Sequence, residues 1–221
     1  MQTTNEVIRT ILARRSVRFG YDRSRPVSED ALQVVTDCGH AAPSSKNARP
    51  WRFHLVTNTG ILDAIAEAME AAPDVDRYVP HDPRTGLAHE YWKSTVRESA
   101  AVFREVPAVI FVENRGVFSG GRPALRAAEP DALAHSLASY AFECMGIGTA
   151  LENMWIAAIS LGLSAAFIGE VTIAEPYVAE TLGLEGDLVG GLGLGYSDSP
   201  PLPALPSPEA TQVADPVIRH I

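Results

Sequence analysis

The residue types best suited to binding an anion are concentrated near the N-terminus. Arg14, Arg15 and Arg18 lie within a span of five residues, and Ser16 stands between them. Guanidinium groups are permanently charged and can donate two hydrogen bonds to one oxyanion, so this spacing suits a bound phosphate. The segment also follows an amphipathic stretch, and cations at the end of a helix complement its dipole. The spacing alone is compatible with both interpretations.

A second polar cluster occupies residues 42–51, which read A-P-S-S-K-N-A-R-P-W. Pro43 restricts the backbone at the start of this loop. The side chains of Ser44, Ser45 and Asn47 can donate hydrogen bonds to a polar heterocycle or accept hydrogen bonds from it. The same residues are common turn formers, so the loop by itself indicates only a turn.

The sequence lacks the residue spacings that several other kinds of binding or catalytic site require. The glycine run at residues 190–195 lacks the G-x-G-x-x-G pattern of dinucleotide-binding proteins, because Tyr196 occupies the place of the third glycine. Close packing between strands is the favoured explanation of these glycines. The sequence contains no Walker motif and no G-x-S-x-G elbow. The six histidines are scattered without the spacing of metal ligands, so we expect no metal site.

The composition is that of a globular protein with an acidic surface. Of 221 residues, 46% are hydrophobic and 20% are charged, which excludes wholesale disorder. The 27 acidic residues outnumber the 18 basic ones and the formal net charge is −9. A surface of this sign repels phosphate backbones, so we expect no nucleic acid partner. The two cysteines are too few for a disulfide framework.

The hydropathy pattern does not indicate a membrane protein. In the N-terminal stretch the basic residues follow the apolar positions, whereas a secretory signal has the opposite order. Glu143 and Glu152 interrupt the longest apolar stretch, so no run of about 18 uncharged apolar residues occurs. We therefore expect a cytoplasmic protein without a membrane partner.

The elements that must position the polar clusters are a mixture of helices and strands. Apolar residues at helical spacing predict helices, and short β-branched and aromatic runs predict strands. Residues 115–130 are rich in glycine and are predicted to form a long loop. The predicted helices cover residues 4–15, 29–42, 61–71, 87–104, 131–161 and 175–182, and the predicted strands cover residues 52–57, 107–112, 165–168 and 188–196.

The predicted helix at residues 131–161 is unusual because it is apolar on more than one face. At 1.5 Å per residue it would span ~45 Å, about the width of a domain of this size. An apolar helix of this kind must be buried on all sides, so we expect a second copy of the chain to cover part of it in a homodimer. We expect one domain over residues 1–221, in which residues 200–221, with six of the 16 prolines, form an extended arm.

Four segments in order resemble the nitroreductase family of flavoenzymes. The family shows R-R-S-x-R near its N-terminus and P-S-S-x-N-x-Q-P-W about thirty residues later, and both are present here with one substitution. Asn153, an apolar run and Gly162-Leu163 resemble the family's central helix, and residues 193–196 (G-L-G-Y) resemble its G-x-G-Y strand end. The resemblance covers residues 5–198.

The resemblance implies an α+β fold, with a mixed sheet flanked by helices and the long central helix at a homodimer interface. It also implies one FMN in each of two interfacial sites. The first cluster would contact the FMN phosphate, ribityl chain and pyrimidine edge, the second would approach the ring from the other subunit, and a later backbone segment would run along the ring. The implied FMN-binding residues are Arg14, Arg15, Ser16, Arg18, Pro43, Ser44, Ser45, Asn47, Ile168 and Gly169.

Two departures from the family pattern affect this expectation. Arg49 stands where the family has Gln. The family's basic residues just after the G-Y strand, which also bind phosphate, are missing here, and Arg219 is the only Lys or Arg after Tyr196. The phosphate would therefore depend mainly on the N-terminal arginines.

The implied activity is an FMN-dependent oxidoreductase that reduces nitroaromatic, quinone or related small acceptors with NADH or NADPH. The resemblance implies a ping-pong mechanism, in which the nicotinamide leaves before the acceptor enters the same pocket. Three alternatives stay open: a flavin-dependent dehydrogenase or ring-cleaving enzyme of a biosynthetic pathway, a reductive dehalogenase of the same superfamily, and a non-enzymatic flavin-binding protein. No side chain is nominated as a general acid or base.

Overall fold

A computed structural model describes residues 5–88 and 92–198. The predicted helices and strands are present there, with differences at several ends, and the expected Pro-rich arm at residues 200–221 lies outside the described residues. The helices are α1 (Glu6–Ala13), α2 (Glu29–His40), α3 (Thr59–Glu70), α4 (Val96–Glu105), α5 (Gly121–Ala127), α6 (Pro130–Ser160) and α7 (Glu175–Leu182), and the strands are β1 (Trp51–Val56), β2 (Ala108–Asn114), β3 (Ser164–Ile168) and β4 (Asp187–Gly195).

The four described strands form one sheet in the order β1-β2-β4-β3. This arrangement confirms the α+β class, but all three strand pairs are antiparallel, so the mixed sheet that we expected is wrong for these strands. The cause lies in the connections. Val56, the last residue of β1, is opposite Val109 near the start of β2, so the chain re-enters the sheet at the end where it left. A parallel pair would need a crossover to the opposite end.

The sheet separates two apolar layers. Along β2 the side chains alternate between them, as the two-residue period of a strand requires. Val109 and Phe111 pack with α3 and α4, in a cluster that includes Phe103. Ile110 and Val112 pack with α2 and α6 on the other face. Every residue of β2 is buried, so this strand is the centre of the core.

The glycines of β4 provide space for neighbouring side chains. A Cβ at Gly190 would lie 2.4 Å from Cζ of Phe167, and a Cβ at Gly191 would lie 3.0 Å from Cγ1 of Val109. Since no helix directly follows β4 among the described residues, the strand-packing explanation of the glycine run is confirmed.

α6 is the longest described helix, and its ends differ from the predicted ones by one residue. One side packs into the core through residues that include Ile147 and Met154, and Asn153 donates a hydrogen bond to the Cys38 carbonyl of α2 at 3.1 Å. None of the described helices is both long enough and apolar enough to cross a lipid bilayer. The exposed large apolar side chains of α6 are Leu137, Phe142 and Met145.

Two predicted boundaries are wrong. The predicted loop at residues 115–130 contains α5, a seven-residue helix that starts at Gly121 with Pro123 in its first turn. Proline is tolerated there because the first N–H groups of a helix have no intrahelical acceptor. The helix predicted at residues 87–104 begins only at Val96, after Ser94 has donated its hydroxyl to the Val75 carbonyl. A serine that bonds the backbone in this way favours a helix boundary over a helix interior.

Candidate functional site

The end of α1 places the first arginine cluster beside α6. The backbone N–H of Arg14 donates to the Thr10 carbonyl at 2.9 Å and ends the helix. Nη1 of Arg15 donates to the carbonyls of Leu12 and Arg14, at 3.0 and 2.6 Å. Arg15 therefore caps the C-terminus of α1 in this structure, in the way that the dipole interpretation predicts.

The chain after Arg14 is fixed against β3. The Val17 N–H donates to the Ala165 carbonyl at 3.0 Å, and the Tyr21 hydroxyl donates to the Val17 carbonyl at 2.6 Å. Burial of Tyr21, with a smaller effect from the Glu105 carboxylate, holds the pKa of its phenol well above the ordinary value. The hydroxyl is therefore a permanent donor at neutral pH, and it holds the segment that carries Ser16 and Arg18 in place.

Two residues of α6 contact the Arg14 side chain. Nε of Arg14 lies 3.3 Å from Oε1 of Glu152, and Cζ of Arg14 lies 4.5 Å from the centre of the Trp155 ring. In residues 5–88 and 92–198, no acceptor is hydrogen-bonded to either Nη of Arg14. The guanidinium is thus held by one edge and one face, and its outer edge is available to an anion.

Trp155 contributes an unusual group to the same place. Its side chain is only 9% exposed, yet its indole Nε1 is buried without a hydrogen-bond partner in the described part of the chain. Sequence reasoning missed both Glu152 and Trp155 as site residues; it assigned Trp155 to the part of the apolar helix that a second subunit would cover, whereas Trp155 is already buried in the single chain. Their three-residue spacing puts the two side chains on one helix face, but nothing in that spacing relates them to Arg14.

The second cluster lies against a different part of α6. The Thr149 hydroxyl donates to the Pro43 carbonyl at 3.0 Å, and a Cβ at Gly146 would lie 3.2 Å from Cβ of Ser44. The small residue therefore permits the close approach of the loop. At the turn, Oγ of Ser44 accepts from the Arg49 N–H at 2.9 Å.

The backbone of this loop adopts uncommon conformations. Lys46, Asn47 and Arg49 have φ values of 50°, 51° and 46°. Asparagine tolerates this left-handed region, whereas Lys and Arg are strained there. Ser45 and Asn47 are exposed at the surface of the single chain, where they can contact a ligand or another subunit.

The third predicted segment lies at the end of β3. Ile168 is buried, and Gly169 precedes a short 3₁₀ turn at Glu170–Ala174. Gly169 and Glu170 also line a cavity of about 920 Å³. The other residues that line this cavity are Asp74, Arg77, Tyr78, Val79, Pro80 and His81.

The structure brings two of the three predicted segments together. The first arginine cluster is joined to β3 by the Val17–Ala165 hydrogen bond, and β3 leads to Ile168 and Gly169. No hydrogen bond or ion pair among the described residues joins the first cluster to the loop at residues 43–47. Both contact α6, the loop through Thr149 and the arginine cluster through Trp155. At 1.5 Å per residue these two positions are about 9 Å apart along the helix axis.

A buried carboxylate fixes the loop between β2 and α5. Glu143 is fully buried, and its oxygens accept from the Phe118 and Ser119 N–H groups at 2.6 and 3.0 Å. They also accept from the Ser119 hydroxyl at 2.6 Å and from Nδ2 of Asn114 at 3.0 Å. Burial alone would raise the pKa of Glu143, but these hydrogen bonds outweigh it and hold the pKa below the ordinary value.

A comparison with protein families tests the resemblance described above. The model of the nitroreductase family matches residues 11–196 of this chain. The chain belongs to the nitroreductase family. All three site segments lie within the matched range, and so does the whole of α6.

Curated relatives match over shorter stretches. A protein of Haemophilus influenzae that carries the name NAD(P)H nitroreductase is 30% identical over 57 residues, which are 26% of this chain and 26% of that protein. A protein of Methanothermobacter thermautotrophicus that carries the name NADH dehydrogenase/NAD(P)H nitroreductase is 36% identical over 62 residues, 28% of this chain and 31% of that protein. The matched stretches therefore cover about a third or less of these relatives.

Solved structures match the nitroreductase fold over most of the chain. A nitroreductase from Bacteroides fragilis with bound FMN is 25% identical, with a TM-score of 0.62 over 95% of this chain and 98% of that one. The NADPH:FMN oxidoreductase of Vibrio harveyi, solved in complex with NAD⁺, is 21% identical, with a TM-score of 0.62 over 92% of this chain and 74% of that one. At 21% identity the latter likeness concerns the fold alone.

Proposed function

We propose that this member of the nitroreductase family is an FMN-dependent oxidoreductase. In this proposal it takes hydride from NADH or NADPH and passes it to a nitroaromatic, quinone or related small acceptor by a ping-pong mechanism. The observation that carries the proposal is the arrangement around Arg14, which lies over the ring of Trp155: within residues 5–88 and 92–198 its two Nη groups have no acceptor and the buried N–H of Trp155 has no partner. The family membership and the FMN bound by the Bacteroides fragilis relative support the choice of FMN.

The donors of the first cluster fit the phosphate of FMN. A phosphate monoester has a charge near −2 and three strong acceptor oxygens, and Arg14 offers its outer edge to such a group. Ser16 could add a hydroxyl donor, and the exposed Arg18 would, as the family resemblance implies, lie at the pyrimidine edge of the ring. Ser44, Ser45 and Asn47 would bind the ring from the second subunit. Bound FMN supplies the capacity to accept and return a hydride, which no side chain of this protein has.

The protein's own part in the reaction is to bind, to orient and to neutralise charge. Arg18 carries a permanent positive charge, which would stabilise negative charge near the pyrimidine edge. The cavity beside Gly169 is large enough for a nicotinamide or a small acceptor in turn, and about 300–1,000 Å³ is usual for such sites. Because one cavity would serve both compounds in sequence, no Rossmann domain is needed for the nicotinamide.

The test of this function is the visible spectrum of the purified protein. We expect a yellow protein whose absorbance is bleached anaerobically by NADH or NADPH and restored by a nitroaromatic or quinone acceptor. A yellow protein that neither nicotinamide bleaches would favour the dehydrogenase or the flavin-binding alternative. A colourless protein that does not bind added FMN would contradict the proposal.

Removing the Arg14 guanidinium should weaken FMN binding by roughly ten- to a hundredfold. A hydrogen bond to a charged group contributes about 1.5–3 kcal/mol, and Arg14→Ala removes the group placed best for the phosphate. Riboflavin, which lacks the phosphate, should bind the variant and the wild type about equally. The measurement is a fluorescence titration of the apoprotein with both flavins. Arg9→Ala is the matched control, because Arg9 lies one turn earlier on α1 and pairs with Glu6; equal FMN affinity of both variants would contradict the assignment.

We also propose that the active form is a homodimer, with the exposed apolar side of α6 in its interface. In the single chain, Phe142 and Met145 are 50% and 58% exposed. α1, whose C-terminal neighbour Arg14 contacts α6, also carries exposed apolar residues, and exposed apolar surface of this kind marks an interaction site. The exposed apolar residues of α1 are Val7, Ile8, Ile11 and Leu12.

A charge in this surface should dissociate the dimer. Met145→Glu would place an unpaired carboxylate in an apolar interface, which costs several kcal/mol and is enough to shift the equilibrium to monomer at micromolar concentration. Sedimentation equilibrium measures the change. Val34→Glu is the control, because Val34 is a similarly exposed apolar residue on α2, at 45%. A monomeric wild type would contradict the interface.

A further inference from the structure

We propose that Trp155 is part of the phosphate site: its ring positions the Arg14 guanidinium, and its indole N–H donates to the phosphate of FMN. The inference rests on the proposed function and adds a residue that the sequence motifs do not contain. Three observations carry it: the stacking of Arg14 on the ring, the ion pair of Arg14 with Glu152, and the unpartnered Nε1.

The first argument concerns the orientation of Arg14. An arginine side chain has many rotamers, and ordering one of them on binding costs entropy. Here the indole covers one face of the guanidinium, and Glu152 engages the Nε edge. The remaining edge of the guanidinium, which carries the two Nη groups, faces neither Trp155 nor Glu152. A guanidinium whose orientation is fixed in this way is preorganised to bind an oxyanion. Glu152 is about half exposed, at 48%, so water screens its charge from a nearby anion.

The second argument concerns the indole N–H. Buried polar groups are hydrogen-bonded in the great majority of cases, so a buried donor without an acceptor needs an explanation. Two arginine Nε atoms, in Arg23 and Arg122, also lack a hydrogen-bond partner among the described residues, although Nε of Arg122 lies 3.4 Å from Oδ1 of Asp187. Each of those guanidiniums donates through another nitrogen, whereas an indole has a single donor, and Trp155 therefore has its whole capacity unused.

The neighbouring tryptophan in the structure shows the usual situation. Nε1 of Trp51 donates to Nδ1 of His40 at 3.2 Å. Trp155 is only 9% exposed and has no such partner in the part of the chain that the structure describes, and its ring is centred 4.5 Å from Cζ of Arg14. In this proposal a phosphate at the outer edge of Arg14, with its several acceptor oxygens, would accept from both residues, and Nε1, which is buried in this structure, would be uncovered as the phosphate binds. The Trp155 N–H would replace the donors that this chain lacks after Tyr196, where Arg219 is the only Lys or Arg.

The experiment titrates the apoprotein with FMN, riboflavin and inorganic phosphate, with tryptophan fluorescence as the readout. Trp155→Phe keeps an aromatic ring under Arg14 and removes the N–H, and Trp155→Leu removes both. We expect FMN affinity to fall about tenfold in Trp155→Phe and about a hundredfold in Trp155→Leu, with riboflavin affinity changed less than about threefold. Trp92→Phe is the control, because Trp92 is 63% exposed.

The ratio of FMN to riboflavin affinity separates this inference from the proposed function and from a folding defect. A wild type that binds FMN, together with a Trp155→Leu variant whose ratio is unchanged, would overturn the inference and leave the function in place. A Trp155→Phe ratio equal to that of the wild type would overturn the N–H donation, and this conservative variant answers the question even if Trp155→Leu does not fold. A wild type that binds neither flavin would overturn the proposed function itself.

Discussion

Replacing Glu143 with leucine should lower the free energy of unfolding by about 3–5 kcal/mol. The substitution removes the acceptor of four hydrogen bonds, from the N–H groups of Phe118 and Ser119, the Ser119 hydroxyl and the Asn114 amide. Leucine fills the space, so water cannot enter to satisfy these donors. Since Glu143 is fully buried, solvent does not compensate for the loss.

The measurement is chemical denaturation at neutral pH, compared with Glu180→Leu. Glu180 is an exposed glutamate in α7, so its loss should change stability by no more than about 0.5 kcal/mol. A Glu143→Leu variant as stable as this control would mean that the β2–α5 loop does not depend on the carboxylate.

The contribution of Glu143 should also depend on pH. Its pKa in the folded protein is below the ordinary value, which is about 4.3 for the unfolded chain. The stabilisation is therefore fully present above the unfolded pKa and is lost as the pH falls through the folded pKa. Glu143→Gln cannot ionise at this position. The difference in free energy of unfolding between the wild type and this variant should therefore be constant between about pH 5 and 8 and should shrink in stronger acid. A difference that grows in acid would contradict this direction.

A methyl group at Gly186 should destabilise the protein by at least about 3 kcal/mol. The Cβ of Gly186→Ala would lie 2.1 Å from the Asn114 carbonyl oxygen and 3.1 Å from Oε1 of Glu113. Both atoms belong to the buried end of β2, and Oε1 of Glu113 also accepts from the Gly186 N–H at 2.7 Å. The start of β4 must therefore move away from β2.

The matched control is Gly183→Ala, three residues earlier in the same connection. Gly183 has a φ of 68°, and a Cβ there would meet nothing within 4 Å. Only backbone strain should operate at that position, at about 1–2 kcal/mol. Thermal denaturation of the two variants compares the cost of backbone strain at Gly183 with the cost of the steric clash at Gly186. A Gly186→Ala variant no less stable than Gly183→Ala would contradict the close approach of Gly186 to the Asn114 carbonyl.

The elements that sequence reasoning predicted well are those with local signals. β2 is a β-branched and aromatic run that is recognisable without knowledge of its neighbours, and α6 is an uninterrupted, mostly apolar helical run of 31 residues with Pro130 at its start. The arginine cluster at residues 14–18 and the loop at residues 43–47 could be located because their order along the chain matches a family pattern. α5 was not predicted because Gly120, Gly121 and Pro123 are residue types that are common in loops and unfavourable inside helices.

The parts that could not be predicted depend on contacts between residues far apart in the sequence. The donors to Glu143 lie 24–29 residues earlier in the chain, so nothing in its local sequence distinguishes it from a surface glutamate. Arg14 meets Trp155 only because α1 packs on α6, and no spacing rule relates two positions that distant. Whether two strands are parallel or antiparallel likewise depends on the end of the sheet to which the connection between them returns. The hydrophobic periodicity of the sequence carries no information about this.

The continuity of α6 has a consequence for how the length of this chain can vary. Thr149 holds the loop at residues 43–47 and Trp155 holds Arg14, and a single uninterrupted helix connects the two contacts. One inserted residue between them would rotate everything beyond it by about 100° and carry Trp155 to another face. Relatives are therefore expected to keep a constant number of residues between these positions. Insertions and deletions should accumulate instead between α3 and α4, where the turns that line the cavity can lengthen without changing the register of the site.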